Sequence, residues 1–333
     1  MPDIVVLEPD RVNFHLEPPR FLSECAVGVM GGIVVLGCRD GRAILESYAR
    51  RVLSGEFEAI AAVEEGKLGG LLLWRFLPWD SSIVGRNLAG IVIACGSHIK
   101  ELLDFWKRRA CASGIEYATM RFVNWYRERM ENEEAREIDT EVLEDALQEA
   151  GFLYIEDVEL FERKLGRSPG RMEAIEGIAI EEAYEEDFQG IAEVASKSYI
   201  YDRFHRDAYF SGDEADRIHR KWVLDSLSGR ADIVLAAKDR SGSILGYITA
   251  IVTEGGRASG WIDMLAVRKE ARKKGVGEAL LSEMCRRLAG RGIGAAALGT
   301  QAFNKPAISL YRKLEFKPFG GLKTYRIVLK EAS

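Results

Sequence analysis

Short apolar runs separated by polar, glycine-bearing turns recur along the chain, and three of them recur in the same order in both halves. "VLSGEFEAIAAVEEGKLGGLLL" (52–73) and "SLSGRADIVLAAKDRSGSILGYI" (226–248) each read as strand, polar turn, strand. "ACASGIEYATMRFV" (110–123) and "LAGRGIGAAALGTQ" (288–301) each read as a helix end, Gly-Ile and a strand. "LEDALQEAGF" (143–152) and "ISLYRKLEF" (308–316) each read as a short amphipathic helix running into an aromatic and a final strand. This order predicts two related α/β domains, 1–165 and 172–333, joined within "GRSPGRMEAIEG", whose Gly and Pro residues suit a linker.

The halves differ at one junction. "WIDMLAV" (261–267) reads as a buried strand, and from Val276 onward Val276, Ala279, Leu280, Met284 and Leu288 recur at helical spacing. Between them Arg268, Lys269, Arg272, Lys273 and Lys274 gather beside Gly275 and Gly277, in a chain whose formal net charge is -6. That acidity disfavours broad neutralisation of nucleic-acid phosphates, so the basic cluster has a local purpose. At a strand-to-helix turn, unpaired N–H groups and the positive end of the helix dipole point outward, and glycine lets an anion approach the main chain. A pyrophosphate suits such a turn, and a solvated basic loop capping a helix is the competing reading. The first half passes from "AGIVIACG" into "SHIKELLDFW" without such a turn, and Leu147 falls where the second half has Tyr311. Chemistry is therefore expected in the second half.

Arg272, Gly275 and Gly277 resemble the Arg/Gln-x-x-Gly-x-Gly/Ala turn of the GNAT superfamily of N-acetyltransferases, and "NKPAISLYRKLEF" (304–316) resembles its Asn-x-x-Ala-x-x-Leu-Tyr-x-x-x-Gly-Phe element. One position departs: Glu315 stands where glycine is usual. The resemblance implies two GNAT-like α/β domains, each a mixed, mostly antiparallel sheet flanked by helices, the first degenerate and lacking a cofactor motif. It implies acetyl-CoA as cofactor, its pyrophosphate held by Arg272, Lys273, Lys274, Gly275, Val276, Gly277 and Glu278. Its pantetheine arm would lie along Leu265, Ala266 and Val267, with Asn304 and Tyr311 also facing it. The reaction implied is acetyl transfer to a primary amine. Tyr311 is then the acid for the departing thiolate, although Ala307, Leu310, Tyr311 and Leu314 also form a plain core stripe. Strict alternation puts Asp263 on the face of Trp261, Leu265 and Val267, where it is a candidate base; a structural hydrogen bond or a chain of waters are the alternatives.

The acceptor is expected near "SYIYDRFHRDAYFSGDEADRIHRKW" (198–222), where Tyr201, Arg203, Phe204 and His205 combine aromatic faces with cations suited to a phosphorylated sugar. A lid helix that packs its aromatics inward is the plainer reading. "LPWDSSIVG" (77–85) and "GTQAFNKPAISLY" (299–311) are similar to segments of the TDP-fucosamine acetyltransferase group, which implies a nucleotide-linked amino sugar as acceptor. Trp79 and Asp80 either line the acceptor cleft or simply close a strand end, the second being the plainer reading. Ile83-Val84 departs from the aromatic pair expected before the glycine. A protein or small-metabolite amine, or a non-catalytic acetyl-CoA sensor, are the other readings.

Cys25, Cys38, Cys95, Cys111 and Cys285 are scattered without CxxC spacing, which predicts reduced, mostly buried thiols. His15, His98, His205 and His219 are too dispersed to predict a metal site. No apolar run approaches the roughly 20 residues that span a bilayer, so a cytoplasmic protein without membrane or nucleic-acid partners is expected, its oligomeric state open to a homodimer.

Overall fold

The computed structural model describes residues 2–6, 50–127, 135–137, 140–166, 175–253 and 259–329. In chain order the first elements are β1 (Asp3–Val6), β2 (Glu58–Glu64), β3 (Lys67–Phe76), α1 (Pro78–Val84), β4 (Leu88–Gly96), α2 (Ile99–Ala112), β5 (Tyr117–Arg127), β6 (Ala135–Glu137), α3 (Glu141–Glu149) and β7 (Leu153–Lys164). There follow β8 (Ile178–Glu182), α4 (Phe188–Ser198), α5 (Arg203–Arg206), α6 (Gly212–Asp225), β9 (Ile233–Asp239), β10 (Ile244–Thr253), β11 (Ser259–Val267), α7 (Val276–Gly290), β12 (Ala295–Gln301), α8 (Lys305–Lys313) and β13 (Lys317–Val328). Among the described residues no helix is long and apolar enough to cross a membrane.

The chain forms two compact units, Met1–Asp157 with Gly321–Ser333, and Val158–Gly320. They differ from a division at 165–172, because strand partners rather than sequence order set the boundary. From Val158 to Lys164, β7 pairs antiparallel with β12, so this strand of the first half belongs to the second unit. From Gly321, β13 belongs to the first unit. There Tyr325 stacks on Phe122 of β5 at 5.9 Å, and Lys323 and Tyr325 both bond Glu144 of α3.

In the first unit β1 to β5 lie side by side in sequence order, all antiparallel except the parallel pair β4–β5. Leu102, Leu103 and Trp106 of α2 are fully buried with Ile60, Leu72, Phe122 and Phe152, the apolar stripe of an amphipathic helix meeting one sheet face. In the second unit the order is β8-β9-β10-β11-β12-β7, antiparallel except for β11–β12. Leu280, Leu281, Met284 and Leu288 of α7 are fully buried with Ile248, Ala250, Leu298 and Phe161, each such side chain stabilising by roughly 1.5–3 kcal/mol. The other face carries α4 and α6 over Tyr247, Met264 and Ala266. Each unit thus repeats the strand order of the other, as the sequence repeats predict.

Cys95 and Cys285 are buried and Cys111 half-buried, none of the three in a disulfide, and burial pushes the Cys285 thiol up to about 11. Cys25, Cys38, His15 and most of the expected linker lie outside the described residues.

Candidate active site

The basic turn of the second unit leaves β11 at Val267, passes a single 3-10 turn at Lys269–Ala271 and enters α7 at Val276. Gly275 is the N-cap in the left-handed region, φ 81°, which a β-branched residue tolerates poorly. A Cβ there would also sit 3.3 Å from Cδ1 of Ile175. No side chain caps the helix, and its first internal bond runs from Ala279 N–H to Gly275 O at 2.9 Å. The N–H groups of Val276, Gly277 and Glu278 therefore lie in the first turn, ahead of the helical ladder. At Gly277 a Cβ would only touch Leu310 and Val267 at 3.5 and 3.6 Å, so Gly275 is the position that shapes the turn. The five cations divide. Arg268 Nε donates to Ile244 O and Arg272 Nε to Val267 O, both at 3.0 Å, bracing the loop, while Lys269, Lys273 and Lys274 are exposed.

Beside this turn the sheet opens. β12 pairs with β11 only from Ser259 to Trp261, while β10 pairs with β11 through to Val267. Leu265, Ala266 and Val267 thus carry a strand on one edge and none on the other among the described residues. An amide-bearing chain can add to such an edge as a strand would.

A bulge sets the next feature. Thr249 faces Met264 and Ala250 faces Ile262, which leaves Asp263 as the extra residue of β11. Alternation therefore fails at this residue, a correction to the face expected for it. Leu265 and Val267 pack with the α7 core, whereas Asp263 turns to the α6 side, accepting from Trp222 Nε1 at 3.0 Å and pairing with Arg230. Its side chain is 3% exposed. Both partners of this carboxylate are structural side chains of the same unit, as the structural reading of Asp263 requires.

Tyr311 lies on α8, whose N-cap Asn304 accepts from Ala307 N–H at 3.4 Å and donates Nδ2–H to Thr300 Oγ1 at 3.0 Å. Its ring packs edge-on to Phe161 at 5.6 Å, as a core stripe requires. Burial lifts its phenol far above the ordinary tyrosine range, which keeps the proton on Oη. Tyr199 and Tyr247, which the sequence did not single out as a pair, join hydroxyls at 3.1 Å. Burial raises the Tyr199 phenol, and Asp263, Tyr311 and Asp202 nearby push the same way against the Tyr247 hydrogen bond. Three phenols, each of them raised, thus line this part of the second unit.

The expected acceptor residues differ in exposure and partners. Tyr201 is 39% exposed and meets Phe303 edge-on at 5.7 Å, and Arg206 stacks over the same ring at 4.3 Å. Arg203 lies 4.4 Å over Phe204, but Phe204 itself is buried against Phe210 and His219, so it supports the helix rather than offering a face. Trp79 and Asp80 begin α1 in the first unit, directly after β3. His205 and His219, dispersed in sequence, stack at 5.7 Å with Asp202 between them. The signal available for this was spacing: Asp202 and His205, and Asp216 and His219, are each three apart, one helical face.

In the first unit the equivalent turn is closed. β4 ends at Gly96 and α2 begins at Ile99, and a Cβ on Gly96 would lie 2.3 Å from Gly69 O of β3. At Gly96 the chain turns flush against the neighbouring strand.

The Acetyltransferase (GNAT) family profile matches residues 174–316. Over these residues the chain is similar to the GNAT acetyltransferase family. Among curated proteins, the spore coat polysaccharide biosynthesis protein SpsD of Bacillus subtilis is 28% identical over 130 residues, 39% of this chain and 44% of that one. The mycothiol acetyltransferase of Clavibacter michiganensis is 34% identical over 106 residues, 32% of each chain. The matched stretches thus span less than half of these relatives. Of solved structures, a tandem GNAT protein from the clavulanic acid biosynthesis pathway superposes over 99% of both chains with TM-score 0.61 and 14% identity. That likeness extends the GNAT fold to both halves.

Proposed function

We propose that the protein is a cytoplasmic acetyl-CoA-dependent N-acetyltransferase whose second unit carries the site and whose acceptor is the amino group of a nucleotide-linked amino sugar. The observation that carries the transferase reading is the pairing of an uncapped helix start, opened by left-handed Gly275, with the one-sided strand edge Leu265–Val267. The residues present suit the cofactor: the amides of Val276, Gly277 and Glu278, with Arg272, Lys273 and Lys274, hold a pyrophosphate, and the strand edge holds an amide-bearing arm. Acetyl-CoA supplies the acetyl group as a thioester. Tyr311 holds a proton at Oη for the departing sulfur, and Asn304 positions its helix. The acceptor reading rests on Arg206, which shares the Phe303 ring with exposed Tyr201, on Arg203 over Phe204, and on the carbohydrate context in the name of SpsD.

The test has two arms. Calorimetric titration of acetyl-CoA is expected to give one site per chain, lost in Gly275→Val; a second site, or unchanged affinity in the variant, overturns the site assignment. Thiol release with a TDP-linked 4-amino-dideoxyhexose, lysine peptides and spermidine is then compared. Arg203→Ala is expected to raise KM for the sugar nucleotide by roughly 10-fold or more, the scale of a lost charge-assisted hydrogen bond, without changing acetyl-CoA affinity. Preference for the peptides or spermidine refutes the sugar-nucleotide acceptor.

A further inference from the structure

His219 is 4% exposed, and neither of its ring nitrogens has a hydrogen-bond partner among the described residues. Its Nε2 lies 3.1 Å from Asp202 Oδ1. A buried polar nitrogen left unpaired is costly, so its position calls for a ligand. Asp202 faces a second imidazole as well: its Oδ2 lies 2.5 Å from His205 Nδ1. The ligand atoms of Asp202, His205 and His219 all lie within 4.8 Å of one another.

We infer that Asp202, His205 and His219 form a binding site for a divalent transition metal of the zinc class. The donor set is two imidazoles and one carboxylate, which suits zinc or cobalt and not the oxygen-seeking magnesium or calcium. The supports of such a site are also present. His205 Nε2 meets Asp216 Oδ1 at 3.1 Å, a carboxylate on the far nitrogen that fixes the ring and directs Nδ1 toward Asp202. Asp202 is held in turn, as N-cap of α5, by N–H donors of Phe204 at 2.9 Å and His205 at 3.4 Å. The His219 ring lies nearly parallel to Tyr199 at 4.4 Å and to Trp222 at 6.1 Å. Metal at about 2.0–2.2 Å from each donor needs donor atoms about 3 Å apart, so the close His205–Asp202 contact opens slightly and its shared proton leaves. Three protein ligands leave one position for water. The ion ties α5 to α6, and this inference is independent of the acceptor's identity.

The untagged full chain, dialysed against chelator, is titrated with Co2+ and then Zn2+. One equivalent of Co2+ with the visible absorption of a four-coordinate ion, bleached by one equivalent of Zn2+, is expected. Asp202→Asn and His219→Gln remove that signal, Asp216→Asn weakens binding by roughly 10- to 100-fold, and His98→Ala leaves it intact. Circular dichroism verifies that each variant is folded, and wild-type stoichiometry decides even where a variant is not. Binding well below one equivalent, or the same affinity in folded His219→Gln, overturns the site; Asp202 and the histidines then act only as a buried clamp between the helices.

Discussion

At the scale of single residues, Tyr311, the proposed proton donor, and the bulge carboxylate Asp263 differ in their partners: the first packs against rings, the second bonds Trp222 and Arg230. The Tyr311 ring is anchored by Phe161 and Phe316 while burial keeps its hydroxyl protonated. A phenol that never ionises at neutral pH is a store of one proton, the form an acid requires. Tyr311→Phe keeps the ring packing and removes only the hydroxyl, so kcat is expected to fall by roughly 10²-fold with KM for acetyl-CoA nearly unchanged. Steady-state kinetics check this; a kcat within about two-fold of wild type would return Tyr311 to the core stripe alone. Glu315 shows a sequence departure resolved by geometry. It adopts φ 62°, the left-handed conformation that explains why glycine is usual there, and the C-terminal bond from Phe316 N–H to Tyr311 O at 2.9 Å still forms.

Among elements, β11 and its counterpart β4 share a bulge but not its chemistry. In β4 the register slips between Leu73 and Trp74, leaving Val92 as the extra residue where β11 has Asp263. The bend is common to both units, and each parallel neighbour pairs only with the first part of the strand. The seat of β13 in the first unit rests on a different polar cluster. Glu144 of α3 accepts from Lys323 Nζ at 2.7 Å and Tyr325 OH at 2.9 Å, and also from Thr140. Burial alone would raise its carboxyl, but these donors overcome that and hold it below the ordinary range. A depressed folded pKa stabilises above the unfolded value, near 4.3, and the contribution is lost as pH falls through the folded one. Glu144→Gln is therefore expected to lower Tm at pH 7, with the gap to wild type closing below about pH 4. Thermal melts across pH read this, and a gap that persists in acid would assign the effect to packing.

At the scale of the whole molecule, the two units do not coincide with the two sequence halves. A fragment 172–333 lacks Val158–Lys164 and leaves β12 without its antiparallel neighbour along Ala295–Gln301. An unpaired edge invites aggregation. The fragment 158–320 keeps that strand and is expected to stay monomeric and folded where 172–333 aggregates, as gel filtration and circular dichroism would show. Equal behaviour of both fragments would remove β7 from the second unit's requirements. The repeats, the α/β class, the glycine turn and the N-cap of Tyr311's helix were legible in the sequence, because helix period, turn residues and capping act over a few neighbouring positions. The face of Asp263 was not, since one extra residue in a strand reverses alternation and only its pairing partner reveals the slip. The strand that each unit draws from the other half and the meeting of Asp202, His205 and His219 were likewise decided by tertiary structure. They depend on which elements pack together, a choice made by burial over the whole chain rather than by any local pattern.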